Sequence, residues 1–204
     1  MKHADIATQL PEEAILEAAA DVFAQHGFSG ARVEAIARAA GINKAMLYYR
    51  LGDKSRLYEL VILRHFERVA LAVEQGASVP GGPGDKLAGI LAALAELFVR
   101  DGRAPRIMAW ELASGGGGMP ASVTAMWVRI FAVVAPLAAK AGMDPLLMHL
   151  SMVGPLVFTC LTAPLRERLR AEMPAIATYL AGIGPREMAT FLGGLYRKVA
   201  GEEP

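Results

Sequence analysis

The sequence predicts an all-α fold, and three observations predict it. Alanine, leucine and methionine, all good helix formers, dominate the chain. No stretch alternates apolar and polar residues with a period of two, so strands are not expected. Apolar residues recur instead at helical spacing between glycine and proline breaks. The 204 residues suffice for one large domain or two small ones with a real core. A hydrophobic fraction of 54% is high for a lone soluble domain and points to surface buried between subunits.

The elements follow in order. Pro11 opens a first helix, whose stripe is Ile15, Ala19, Val22 and Phe23 and whose end is Gly27. Val33 to Ala40 reads as a short second helix, broken at Gly41. Asn43 caps a third helix that runs to about Arg50. After Gly52, Asp53 caps a longer fourth helix to about Gln75, with the stripe Leu57, Leu60 or Val61, the Arg64 stem, and Val69. The Gly- and Pro-rich stretch 76–84 reads as a linker, which divides the chain into domains at 1–75 and 76–204. Further helices are expected over about 85–101, 104–113, 120–141, 144–163 and 185–200, with loops at Gly115–Gly118 and 171–184.

Charge is uneven. The net charge is only +1, yet Arg32, Arg38, Lys44, Arg50 and Lys54 face only Glu34 and Asp53 between positions 32 and 54. Residues 1–31 carry Lys2 against five acids. The positive charge therefore concentrates around the second and third helices. Cys160 is the single cysteine, so no intrachain disulfide forms and a reducing, cytoplasmic setting is expected. The acidic N-terminus does not read as a signal peptide. The charge-free run 145–165 is long enough to cross a bilayer. Pro155, Pro164 and His149 inside it, and the absence of aromatic belts, favour a helix buried on all sides, so no membrane partner is expected.

Val33 to Arg50 carries the main functional signal. Two short helices that cross tightly need a small residue at their approach, supplied by Ala37, and a left-handed turn, supplied by Gly41. Ile36, Ile42 and Leu47 form the small core, leaving Lys44, Ala45, Tyr48 and Tyr49 outside on the third helix. Such a helix fits the DNA major groove, its first turn at base edges. Lys44 can donate to guanine or phosphate, Tyr48 can bond phosphate and pack on sugar, and Arg50, Lys54 and Arg32 suit backbone contacts. With Asn43 these residues make up the expected DNA-binding set, within a helix-turn-helix over about 32–51.

Three blocks, Ile15 to Phe28, Val33 to Tyr49 and Asp53 to Leu57, together resemble the N-terminal domain of the tetracycline-repressor (TetR) family. The family's Leu-Tyr pair corresponds to Leu47-Tyr48 and its fourth-helix lysine to Lys54; Arg50 and Leu51 depart from the usual His or Tyr followed by Phe. The resemblance implies a three-helix DNA-binding domain joined by a long helix to a helical domain for ligand binding and dimerisation. It further implies a homodimer on a palindromic double-stranded operator, a small apolar or aromatic effector that releases a repressor, and no enzyme activity or cofactor. A helical small-molecule-binding protein with a non-functional DNA domain is the alternative.

In the C-terminal half, Met108, Trp110, Met126, Trp127, Phe131, Met148, His149 and Met152 are candidates for an effector pocket, since methionine adapts to irregular ligands. Met119, Met143, Phe158 and Met173 extend the set, and core packing is the competing reading for each. Thr159 is a second polar anchor beside His149, and Cys160 reads as a small hydrophobe. The 145–165 segment and Met188, Phe191, Leu192, Leu195 and Val199 supply the expected dimer surface, with Gly193-Gly194 admitting a partner helix. The four histidines have no metal spacing, and no nucleophile grouping is readable.

Overall fold

A computed structural model describes residues 11–116, 120–180 and 182–202. Gly117, Gly118 and Met119, and expectations for residues 1–10, lie outside them. The described residues are helical and contain no strand. The helices are α1 (Glu12–Gly30), α2 (Val33–Ala39), α3 (Lys44–Leu51), α4 (Lys54–Ala77), α5 (Pro83–Arg100) and α6 (Arg103–Ala113). They continue as α7 (Ala121–Lys140), α8 (Pro145–Leu161), α9 (Ala163–Glu172), α10 (Pro174–Leu180) and α11 (Pro185–Val199).

Packing divides the chain into two compact units, residues 1–66 with 106–124, and residues 67–105 with 125–204. The packing places the division within α4, at 66/67, rather than at the 75/76 expected, and α4 runs unbroken to Ala77. Gly76 is not a linker residue either. A Cβ there would lie 2.5 Å from the Ile90 Cα, so the glycine admits α5 against the end of α4.

The first unit is built on a small core. Ile15, Ala19, Val22 and Phe23 of α1, Ile36 and Ala37 of α2, Leu47 and Leu51 of α3, and Leu57, Tyr58, Val61 and Ile62 of α4 are buried. The α4 stripe thus runs through Tyr58, Ile62, His65 and Phe66 rather than through Leu60 and Val69. α1 breaks at Gly27, whose φ of 64° and ψ of 179° are glycine geometry, and resumes for one short turn to Gly30. Trp110 of α6 belongs to this unit: its indole N–H donates to the Ala24 carbonyl at 3.3 Å.

In the second unit α5 and α11 form the principal helix pair, and α8 packs on both. Gly193 is buried here because Ala88 of α5 approaches it; a Cβ would meet the Ala88 Cβ at 2.9 Å. The close approach expected from a partner helix is therefore made within the chain, and only Gly194 faces open space. α8 is buried on one face, through Met148, His149, Met152, Leu156, Val157 and Thr159. Its other face exposes Leu146, Leu147, Leu150, Phe158 and Leu161, so it is not enclosed on all sides within the chain. α7 is long and apolar enough to cross a membrane. Of its two charged residues, Arg129 and the terminal Lys140, Arg129 is paired to Glu67 at 2.8 Å and Glu74 at 2.6 Å. Most of the segment expected as a loop over 171–184 is helix: α9 reaches Glu172 and Pro174 opens α10.

Candidate nucleic-acid interface

α2 and α3 form the helix-turn-helix. Gly41 has a φ of 68° with nothing near its missing Cβ, so backbone conformation alone demands glycine there. The Ile42 N–H donates to the Ala37 carbonyl at 3.0 Å, tightening the turn. Asn43 sits in extended backbone and its side chain accepts from the Met46 N–H at 2.7 Å, which caps α3. Asp53 does the same for α4, accepting from the Arg56 N–H at 2.8 Å. Burial of Leu47 and Leu51 then fixes which face of α3 turns outward.

That outward face carries Lys44, Ala45, Tyr48 and Tyr49, all exposed, with Tyr49 at 88% and Tyr48 at 41%. The Lys44 ammonium lies 5.7 Å from the Tyr48 ring centre. It also donates to Glu34 of α2 at 2.6 Å, a partner not expected from the sequence. The hydrogen bond from Lys44 holds the Glu34 carboxyl below its ordinary range, and Glu34 in turn raises the Lys44 ammonium. Because ten residues separate the two, only the crossing of α2 and α3 makes the pair; a basic and an acidic residue on two short, neighbouring helices is the signal that could have found it.

The remaining candidates divide. Arg32 is exposed just before α2. Arg50 is half-buried, and its Nη1 has no hydrogen-bond partner among the described residues. The Lys54 ammonium lies 4.6 Å from the centre of the Phe28 ring. Capping occupies the Asn43 side-chain oxygen, so Asn43 serves the helix start first.

The pocket candidates are not brought together as one set. Met108 and Trp110 lie in the first unit, whereas Met126, Trp127, Phe131, Met148, His149 and Met152 lie in the second. In the latter, His149 is 5% exposed and its ring centre lies 4.7 Å from Trp127 and 6.3 Å from Phe131. Its Nε2 is buried without a partner among the described residues. Desolvation lowers the imidazole pKa and keeps the ring neutral. Thr159 is already committed, donating to the Pro155 carbonyl at 2.7 Å. Burial raises the Cys160 thiol, in keeping with a small hydrophobe. Phe158 is exposed on the open face of α8 and lines no core.

Residues 15–61 match the profile of bacterial regulatory proteins of the tetR family. The regulator RutR of Escherichia coli strain K12 is 42% identical over 66 residues, which cover 32% of this chain and 31% of RutR. The match thus spans about a third of the curated relative. Solved structures match over most of the chain. AibR in complex with isovaleryl coenzyme A and operator DNA superposes with a TM-score of 0.68 at 16% identity, over 90% of this chain and 96% of AibR. FadR of Bacillus subtilis in complex with stearoyl-CoA gives 0.65 at 13% identity, over 95% of this chain and all of FadR. These likenesses establish the shared helical fold, and residues 15–61 carry the likeness to the N-terminal domain of the TetR family.

Proposed function

We propose that this protein is a sequence-specific transcriptional regulator that binds a palindromic operator as a homodimer in the cytoplasm and is controlled by a small molecule. The observation that carries this reading is the face of α3. Two tyrosines and a lysine stand in solvent on a capped helix whose apolar residues are buried beneath it. Aromatic side chains gain nothing from such exposure in the free protein, while the major groove would cover them. Lys44, Tyr48, Tyr49 and Ala45 take the base edges and adjacent sugar-phosphate; Arg32, Arg50 and Lys54 take phosphates.

The open faces of α8 and α11 support the dimer. Leu146, Leu147, Leu150, Phe158 and Leu161 on one, and Phe191, Leu195 and Val199 on the other, are exposed apolar side chains on two adjoining helices. A twofold axis would pair these faces and bury both. The effector reading rests on the second unit, where Trp127 and Phe131 lie beside His149, whose Nε2 has no partner among the described residues, and where Met148 and Met152 are buried on the same helix. An acyl thioester is the first class to test, because AibR and FadR carry such ligands. Release from DNA on effector binding, and hence repression, is the expected direction.

The test begins by selecting genomic fragments that the protein retains, then measuring affinity for the recovered site against salt. Binding should weaken steeply with salt, and Lys44→Ala with Tyr48→Ala should reduce affinity and lower the slope by about one per lost phosphate contact. An unchanged affinity in that double variant overturns the assignment of α3. Recovery of no specific fragment would favour the helical small-molecule-binding protein with a non-functional DNA domain.

A further inference from the structure

An open cleft of about 680 Å³ lies wholly within the first unit, between the end of α1 and the end of α6. His26, Phe28, Ser29, Trp110, Glu111 and Ser114 line it, and Gly27 supplies part of its wall. Glu111 is the unusual member, a carboxyl only 4% exposed. One oxygen, Oε1, accepts from the Tyr58 hydroxyl. Burial drives the Tyr58 phenol far above its ordinary pKa, so it remains a donor. The other oxygen, Oε2, is buried and has no partner among the described residues. A buried acceptor left unpaired costs more than an ordinary hydrogen bond contributes, so a site that retains one is short of a donor.

The surroundings say which donor. Trp110 is 44% exposed, and among the described residues no cation lies over its ring. The Phe28 ring is already taken by Lys54. An indole and a carboxyl lacking a donor in the lining of one cleft suit a positively charged nitrogen that carries hydrogen, which bonds the carboxylate once the buried oxygen turns toward the cleft, while its organic part lies on the ring. A neutral alcohol offers the donor without the charge, and an anion is repelled. We propose that this cleft is a binding site for a small protonated organic amine, held by Glu111 and Trp110. It is separate from the effector region around His149, and the amine site does not depend on whether the protein binds DNA.

The test uses the full chain carrying Trp127→Phe, which leaves Trp110 as the only tryptophan. Benzylamine, benzyl alcohol and benzoate are titrated while the indole emission is followed. Benzylamine should quench saturably, benzyl alcohol should bind at least about tenfold more weakly, and benzoate should not bind. Glu111→Gln should weaken benzylamine by about tenfold to a hundredfold. Ala113→Arg, at an exposed residue of the cleft wall, should put a tethered cation at the mouth and abolish quenching with melting unchanged. Absence of saturation, equal binding of benzyl alcohol, or unchanged affinity in Glu111→Gln overturns the proposal. If Glu111→Gln proves unfolded, retained quenching in Ala113→Arg overturns it alone.

Discussion

Replacing Gly27 with alanine isolates a single point where backbone and packing make the same demand. At φ 64° and ψ 179° the backbone lies in a region open essentially to glycine alone. A side chain forced into it costs about 1–3 kcal/mol. The new methyl group would also sit 2.9 Å from the Trp110 Cδ2 and 3.1 Å from its Cε3 and Cγ. The indole cannot move aside freely, because its N–H is held by the Ala24 carbonyl. Such overpacking adds about another 1–3 kcal/mol. Gly27→Ala should therefore destabilise the first unit by about 2–6 kcal/mol in urea unfolding followed by circular dichroism. A double-mutant cycle with Trp110→Ala separates the two terms: removing the indole should recover about 1–3 kcal/mol and leave the backbone strain. A loss below about 0.5 kcal/mol for Gly27→Ala would refute the reasoning, since ordinary surface substitutions fall in that range.

Three further outcomes are expected. Asn43→Ala should remove the α3 cap and cost about 1 kcal/mol in thermal melting, whereas Asn43→Asp should stay within a few tenths; equal losses would show that the cap hydrogen bond is not the source. Glu34→Gln should free Lys44, tighten operator binding and steepen its salt dependence; an unchanged slope would mean that the Glu34 pair survives on DNA or that Lys44 meets no phosphate. His149 titrates below its ordinary 6.5 in the fold and near 6.5 when unfolded, so the unfolded chain binds more protons in between. Stability is then fully present above pH 6.5 and declines as pH falls through the folded value. His149→Leu should flatten that limb, and denaturation curves across this range with unchanged slope would count against a neutral buried imidazole.

Helices that bury an apolar stripe were legible in the sequence because their caps are chemical. Asn43 and Asp53 stand where a side-chain oxygen must meet a backbone N–H, and Gly41 where φ must be positive. α9 was not legible because nothing in it is buried. It is held instead by charge pairs such as Arg168–Glu172 and Arg170–Glu167, which carry no hydrophobic period. Gly76 and Gly193 illustrate a different limit. A glycine in sequence signals either a flexible joint or a close approach, and only the facing helix, α5 in both cases, decides. The division of the pocket candidates follows the same logic. Trp110 belongs with α1 through a hydrogen bond to Ala24, 86 residues away, and no local pattern announces that. The Tyr58–Glu111 pair, 53 residues apart, is invisible for the same reason.

The reading face of α3 shows how stability and recognition can be divided between two sides of eight residues. Leu47 and Leu51 tie the helix to the core, and Asn43 completes its first turn, so the outward residues contribute little to folding. Those residues can therefore change at small structural cost, as readers of an operator would need to. The two basic residues of α3 are not equal. Lys44 is already engaged by Glu34, so under the proposed function a DNA contact would replace one partner with another and contribute mainly selectivity. Arg50 is the reverse: its Nη1 has no partner among the described residues, so under the proposed function a phosphate would supply an acceptor that it lacks. On this argument Arg50, where the chain departs from the family pattern, would be the stronger phosphate ligand of the two.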